Sequence, residues 1–208
     1  MRDPLPSQAP VSARALSTSA LVLYASAIAL GLGISSAYFA LDGEYPFGGI
    51  EAGPWRAWPQ VGSRDADPYA RAIVTRRAEV PLAWGEGLAL TATTDSAGRP
   101  LDSACSYRIG SVTPQARLWT LTLYDAGGDP ARTDLGRSSF TSAEILRDLA
   151  GSFTILLSRA AQAGNWMQLP AAGRFSVVLR LYDTPAAVGS GSLEASTLPT
   201  IELGECGS

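Results

Sequence analysis

Residues 116–125 read ARLWTLTLYD and residues 174–183 read RFSVVLRLYD. In both, bulky apolar side chains recur at every second position, and each run closes at Tyr-Asp before turn residues, Ala126-Gly127-Gly128 in one case and Thr184-Pro185 in the other. Successive side chains on a strand point to opposite sides, so a period of two held this long predicts strands with one buried face. LTLYD at 121–125 and LRLYD at 179–183 match at four of five positions. They read either as equivalent strands of two related halves, as in a jelly roll, or as chance convergence of strand-then-turn sequences.

Working outward, LALTATT (88–94) runs up to the turn residues 95–98, CSYRI (105–109) follows, and SFTILLS (152–158) lies between the two long runs. Strands of this length, separated by turn signals, predict an antiparallel sandwich or barrel. Asp95, Asp125, Asp148 and Asp183 all fall at predicted turns, where a carboxylate bonds to the following backbone. Thr141-Ser142-Ala143-Glu144 scans as a capping box before ILRDLAG, which predicts a short helix or a polar loop. Upstream, Asp67 as N-cap and Pro68 at the first helical position open a short amphipathic helix running to about Glu79, with Ala70, Ile73, Val74 and Arg77 on one face and Pro81 beyond its end. Residues 42–66 are dense in Gly and Pro, with Trp55 and Trp58 in GGIEAGPWRAWPQVG, and read as an extended tether. The two tryptophans either dock on the domain, the favoured reading, or sit at lipid headgroups.

Residues 20–41 carry no charge and are long enough to cross a bilayer as a helix, at 1.5 Å per residue against roughly 30 Å of hydrocarbon. The run exceeds a signal-peptide core of about 7–15 residues, which favours a retained anchor over a cleaved signal, although Ser35-Ser36-Ala37 offers a small-x-small cleavage site. Arg2 and Arg14 precede the run and the first arginine after it is Arg56, so residues 1–19 are expected in the cytoplasm, with a single pass through the inner membrane and the rest of the chain in the periplasm. Ala25, Ala29, Gly33 and Ala37 recur every fourth position, a stripe that suits self-association of the helix unless composition alone explains it.

The chain has no histidine and no lysine, which removes imidazole bases, Ser-His-Asp triads, histidine-ligated metals, Schiff bases and a P-loop lysine. Acids outnumber bases by 19 to 16 and the arginines are scattered, so no nucleic-acid partner is expected. Cys105 and Cys206 are the two cysteines, and outside the cytoplasm a disulfide is favoured over a reactive thiol.

The ordered series DPYARAIVTRRAEVPLAWGEGLALTATTDSAGRPLD, CSYRIG, ARLWTLTLYD, GSFTILLS, GNWMQLP and RFSVVLRLYD, spanning residues 67–183, resembles the bacterial family called domain of unknown function 1214. The resemblance implies a jelly-roll-like β-sandwich. In many members that domain is the C-terminal half of a protein whose N-terminal half is domain of unknown function 1254. This chain is similar to the short membrane-anchored form. The family brings no activity to carry over, so the expectation is a mainly β fold: a jelly-roll-like antiparallel β-sandwich over 67–208, preceded by one transmembrane helix and one short amphipathic helix.

A ligand face is the main chemical candidate. Asn165-Trp166, an amide beside an aromatic in a predicted loop, with Glu86, Arg108, Trp119 and Arg180 on a sheet face, has the makings of a sugar or small-ligand site, although aromatics in strands are mostly core and alternate arginines mostly solvated. Paired carboxylates are the remaining acid–base route, as in an envelope glycan hydrolase or lyase; Asp125 and Asp183, closing the repeated motif, are the pair to examine, also for calcium. No catalytic residue, metal site or cofactor is assigned. The favoured function is a non-catalytic accessory module of the cell envelope, with the bilayer as one partner and a protein resembling the companion domain as the other.

Overall fold

The computed structural model describes residues 11–43, 45–77, 79–110, 115–185 and 193–207. The chain divides into two compact units, Met1–Glu44 and Tyr45–Ser208. Among the described residues the first holds one helix, α1 (Val11–Asp42). Its stretch Ser17–Leu41 is long and apolar enough to cross a membrane, and its large apolar side chains, Leu21, Leu30 and Phe39 among them, are exposed. Arg2 and the rest of residues 1–10 lie outside the described residues.

The second unit is mainly β. Its strands are β1 (Ile50–Ala52), β2 (Trp55–Ala57), β3 (Gly87–Ala92), β4 (Cys105–Gly110), β5 (Leu118–Asp125), β6 (Ser139–Thr141), β7 (Thr154–Ser158), β8 (Asn165–Gln168), β9 (Phe175–Tyr182) and β10 (Thr200–Cys206). One sheet has the order β1-β2-β3-β9-β5-β6 and the other β10-β4-β7-β8. Leu90, Leu121, Val177 and Leu179 from the first and Ile109, Ile155, Leu157, Met167 and Ile201 from the second share one core, which follows from the period-two alternation in each strand. All strand pairs are antiparallel except β7 with β8, so the second sheet is mixed rather than antiparallel throughout. Residues 159–164 carry the chain back to the start of β7, and six extended residues reach roughly 20 Å, enough for a five-residue strand of roughly 16 Å.

The two long runs are hydrogen-bonded neighbours, with Leu121 opposite Leu179. They are therefore adjacent strands of one sheet rather than counterparts in two halves. Residues 42–66 also depart from expectation. Within the supposed tether, β1 and β2 form a hairpin in which Ala52 faces Trp55 across the two-residue loop Gly53-Pro54. Gly53 has φ +61°, the conformation a two-residue loop with glycine first requires. Trp55 is buried and its Nε1 donates to the Pro199 carbonyl at 2.7 Å, so both tryptophans of this segment dock on the domain: Trp58 Nε1 donates to the Tyr45 carbonyl at 3.1 Å.

The short helix forms as α2 (Pro68–Arg77), with Asp67 Oδ1 accepting from the amides of Tyr69 and Ala70 at 2.9 and 3.0 Å. Ala70 and Ile73 are its buried residues, while Arg77 is exposed. No helix follows Thr141. Glu144 does reach back, accepting from the Thr141 amide at 2.8 Å, but the Leu146 amide and carbonyl are both taken by the Asn165 side chain, which leaves that residue nothing to give a helix.

Asp95, Asp125 and Asp148 build the same loop three times. In each, Oδ1 accepts from the amides two and four residues on, at 2.8–3.1 Å. The amide three residues on bonds the aspartate carbonyl, and the residue there is Gly98, Gly128 or Gly151, with φ between +81° and +85°. This is a three-residue hairpin loop closed by a left-handed glycine, which explains all three carboxylates by turn chemistry. Asp183 is different: it sits at φ +51° and pairs with Arg117 at 3.1 Å. At the far end of the domain Cys105 and Cys206 are joined by a disulfide between β4 and β10 across 101 positions of sequence.

Candidate functional site

The six residues read from the sequence as a ligand face do not meet. Arg108, Leu156 and Trp166 lie side by side in register on the outer surface of the four-stranded sheet, with Glu202 next to Arg108 on the other side. Arg180 is on the outer surface of the other sheet, where its Nη2 donates to Tyr124 Oη at 2.8 Å. Trp119 is in the core between them, 1% exposed, with its ring 5.0 Å from that of Phe153. It shares the parity of Leu121 and Leu123, which are equally buried, and alternation alone sends it inward. Glu86 is exposed in the segment before β3, and its carbonyl accepts from the Asp183 amide.

Asn165 and Trp166 open β8 rather than a loop, and their polar atoms are already in use. Asn165 is buried, accepts from the Leu146 amide at 2.7 Å, and donates to the carbonyls of Leu146 and Thr154 at 2.8 and 3.0 Å. Its side chain thus substitutes for a neighbouring strand. Trp166 Nε1 donates to Ser158 Oγ at 2.9 Å. An amide and an indole so committed have little left with which to hold a sugar hydroxyl.

Nor do the carboxylates pair. Asp125 stands opposite Phe175 at one end of the β5–β9 ladder, whereas Asp183 follows Tyr182, opposite Leu118, at the other. At about 3.3 Å per residue this is more than 20 Å, well beyond the reach of a glycosidase pair or a shared calcium ion. Among the described residues no group of three His, Cys, Asp or Glu is arranged to hold a metal ion.

What the structure does present is apolar surface around the edge strand β8. A recess of about 280 Å³ is walled by Leu146, Phe153, Leu156, Gly164 and Asn165, and Asp148 and Ser152 of the third aspartate loop stand on its rim. That loop carries Leu149, fully exposed at its tip, and Leu146 beside it is exposed too. At the other end of β8, Gln168 Oε1 accepts from the amide of Leu135, a third exposed leucine. No sequence signal marked these leucines, since a single apolar residue at a turn is ordinary; only the fold of the β5–β6 and β6–β7 connections about one strand gathers them.

The profile of a family described as a protein of unknown function, DUF1214, matches residues 86–186, which bears out the resemblance read from the motif series. Among solved structures, the VPA0106 protein from Vibrio parahaemolyticus is similar, with 25% identity and a TM-score of 0.55 over 68% of this chain and 36% of that one. An uncharacterized protein from Burkholderia cenocepacia has 16% identity and a TM-score of 0.42 over 82% of this chain and 39% of that one. The chain therefore corresponds to little more than a third of the length of either. No curated protein matches.

Proposed function

From a chain that carries the DUF1214 domain over residues 86–186, we propose a membrane-anchored, non-catalytic module of the cell envelope that binds a second protein. In this reading α1 spans the inner membrane once and the domain from Tyr45 onward lies in the periplasm. Three exposed leucines around the edge strand β8, one of which, Leu146, lines the recess, carry the proposal. Leucines at loop tips are poor ligands for sugars and good anchors in protein contacts, where burial of one side chain is worth about 1.5–3 kcal/mol. The partner we propose resembles the companion domain that larger family members carry in the same chain. The disulfide supports an oxidising compartment. Strands β3, β4 and β5 alternate between the two sheets, as the wrap of a jelly roll requires, and we read the sandwich as one.

The chain purified from detergent-solubilised membranes should bring its partner with it, and Leu146→Ser with Leu149→Ser should release that partner while leaving thermal unfolding unchanged. Recovery of the wild-type chain alone, or retention of the partner by the double variant, would overturn the reading.

A further inference from the structure

In the domain, the exposed aromatic side chains among the described residues are Phe47, Tyr69 and Trp84, at 61%, 48% and 51% exposure. All three fall in the stretch of the domain nearest in sequence to α1, together with Val80, which is almost fully exposed. Contacts along α2 and one groove link the settings of the three aromatic residues. The ring of Phe47 lies 6.2 Å from that of Tyr69, the second residue of α2. Arg71, also on α2, donates to the carbonyls of Arg64 and Ala66. Arg64 and Trp84 line one groove of about 460 Å³.

The point where the chain enters the domain is fixed on this same stretch. Tyr45 donates its hydroxyl to Glu79 Oε2 at 2.7 Å, its ring packs edge-on against Trp58 at 5.4 Å, and the Arg77 guanidinium lies 6.0 Å from the ring. From Leu41, the last residue of the apolar stretch, to Tyr45 is four steps of the chain, at most about 14 Å when fully extended. The headgroup layer adds roughly 5–8 Å on each side of the hydrocarbon. A domain tethered this closely has some surface at the headgroups, and Trp, Tyr and Phe are the side chains suited to that layer, having an apolar body and, in Trp and Tyr, one polar end. Arg64 and Arg76, exposed in the same stretch, suit the lipid phosphates.

We propose that the surface bearing Phe47, Tyr69, Val80 and Trp84 rests on the bilayer, with these side chains inserted among the lipid headgroups. The proposal depends on α1 spanning the membrane. It leaves the leucines at β8 for the protein partner.

The test uses the full chain reconstituted into vesicles of phosphatidylcholine and phosphatidylglycerol (3:1) containing a headgroup-spin-labelled lipid. The chain has five tryptophans, Trp55, Trp58, Trp84, Trp119 and Trp166, all beyond α1, so indole fluorescence reports on the domain alone. The spin label should quench the wild type, and Trp84→Phe should lose about half or more of that quenching. Phe47→Ser with Tyr69→Ser, which keeps Trp84, should weaken it as well. Equal quenching of wild type and Trp84→Phe, or none in either, in vesicles that float with the protein bound after alkaline carbonate washing, would overturn the proposal and leave the anchor standing. Failure to float with the vesicles would refute the anchor, and the proposal with it.

Discussion

Trp55 and Trp119 are equally buried, and they differ in a single hydrogen bond. The indole nitrogen of Trp55 donates to the Pro199 carbonyl, whereas that of Trp119 has no partner among the described residues. Replacing tryptophan by phenylalanine removes a similar volume at either site, but only at position 55 does it break a bond and orphan a buried carbonyl. Trp55→Phe should therefore be the more destabilising by about 1–2 kcal/mol, as urea-unfolding midpoints would measure. Equal costs would mean that packing alone decides both sites. Parity along β5 was enough to place Trp119 in the core, and parity along β4 and β9 correctly turned Arg108 and Arg180 outward. That the two arginines sit on different sheets was not legible, because alternation tells inside from outside and is silent on which strands are neighbours.

Among the elements, the repeated aspartate loop shows where local chemistry suffices and where it is overruled. Burial pushes the Asp95 carboxyl up, but the amides of Arg99 and Ala97 and the Arg99 guanidinium outweigh it and hold the group below its ordinary 3.8. A carboxylate with a lowered folded-state pKa adds stability that is full above the unfolded value and lost as pH falls through the folded one. Asp95→Asn should lower the urea midpoint at pH 7, and the gap to wild type should narrow as pH is taken below 3.8. A gap that stays constant down to pH 2 would assign the loss to loop shape rather than charge. The long strands β5 and β9 were readable because alternation over eight residues each leaves no other interpretation. Strands β1 and β2, three residues each, were hidden because Gly53-Pro54 raised the turn content to that of a tether, although glycine first in a two-residue loop is itself a hairpin signal. At Thr141 a correct capping signal gave no helix, because Asn165, distant in sequence, claimed the backbone of Leu146.

For the whole molecule, the disulfide between its two cysteines closes one long covalent loop. Crosslinking residues 101 positions apart restricts the unfolded chain, worth about 4–5 kcal/mol in the chain-entropy picture. Reduction, or Cys105→Ser with Cys206→Ser, should lower the unfolding temperature substantially and expose the segment carrying β10 to protease before the rest of the domain. Unchanged proteolysis at that segment would show that Ser96, which exchanges hydrogen bonds with Ile201, holds the strand without help.

The bond from Trp55 to the Pro199 carbonyl joins the first hairpin of the domain to its last segment, 144 positions apart. Strand β3 likewise waits for β9, and β4 for β10. A chain made from its N-terminus onward thus presents β3 and β4 long before the strands that complete them, and loop-closure entropy works against holding such edges in place meanwhile. The half-made domain is left with open strand edges and no closed core, the state in which β proteins aggregate. Completion of both sheets therefore waits for β9 and β10, and a fragment that stops before residue 175 is expected to lack a closed core.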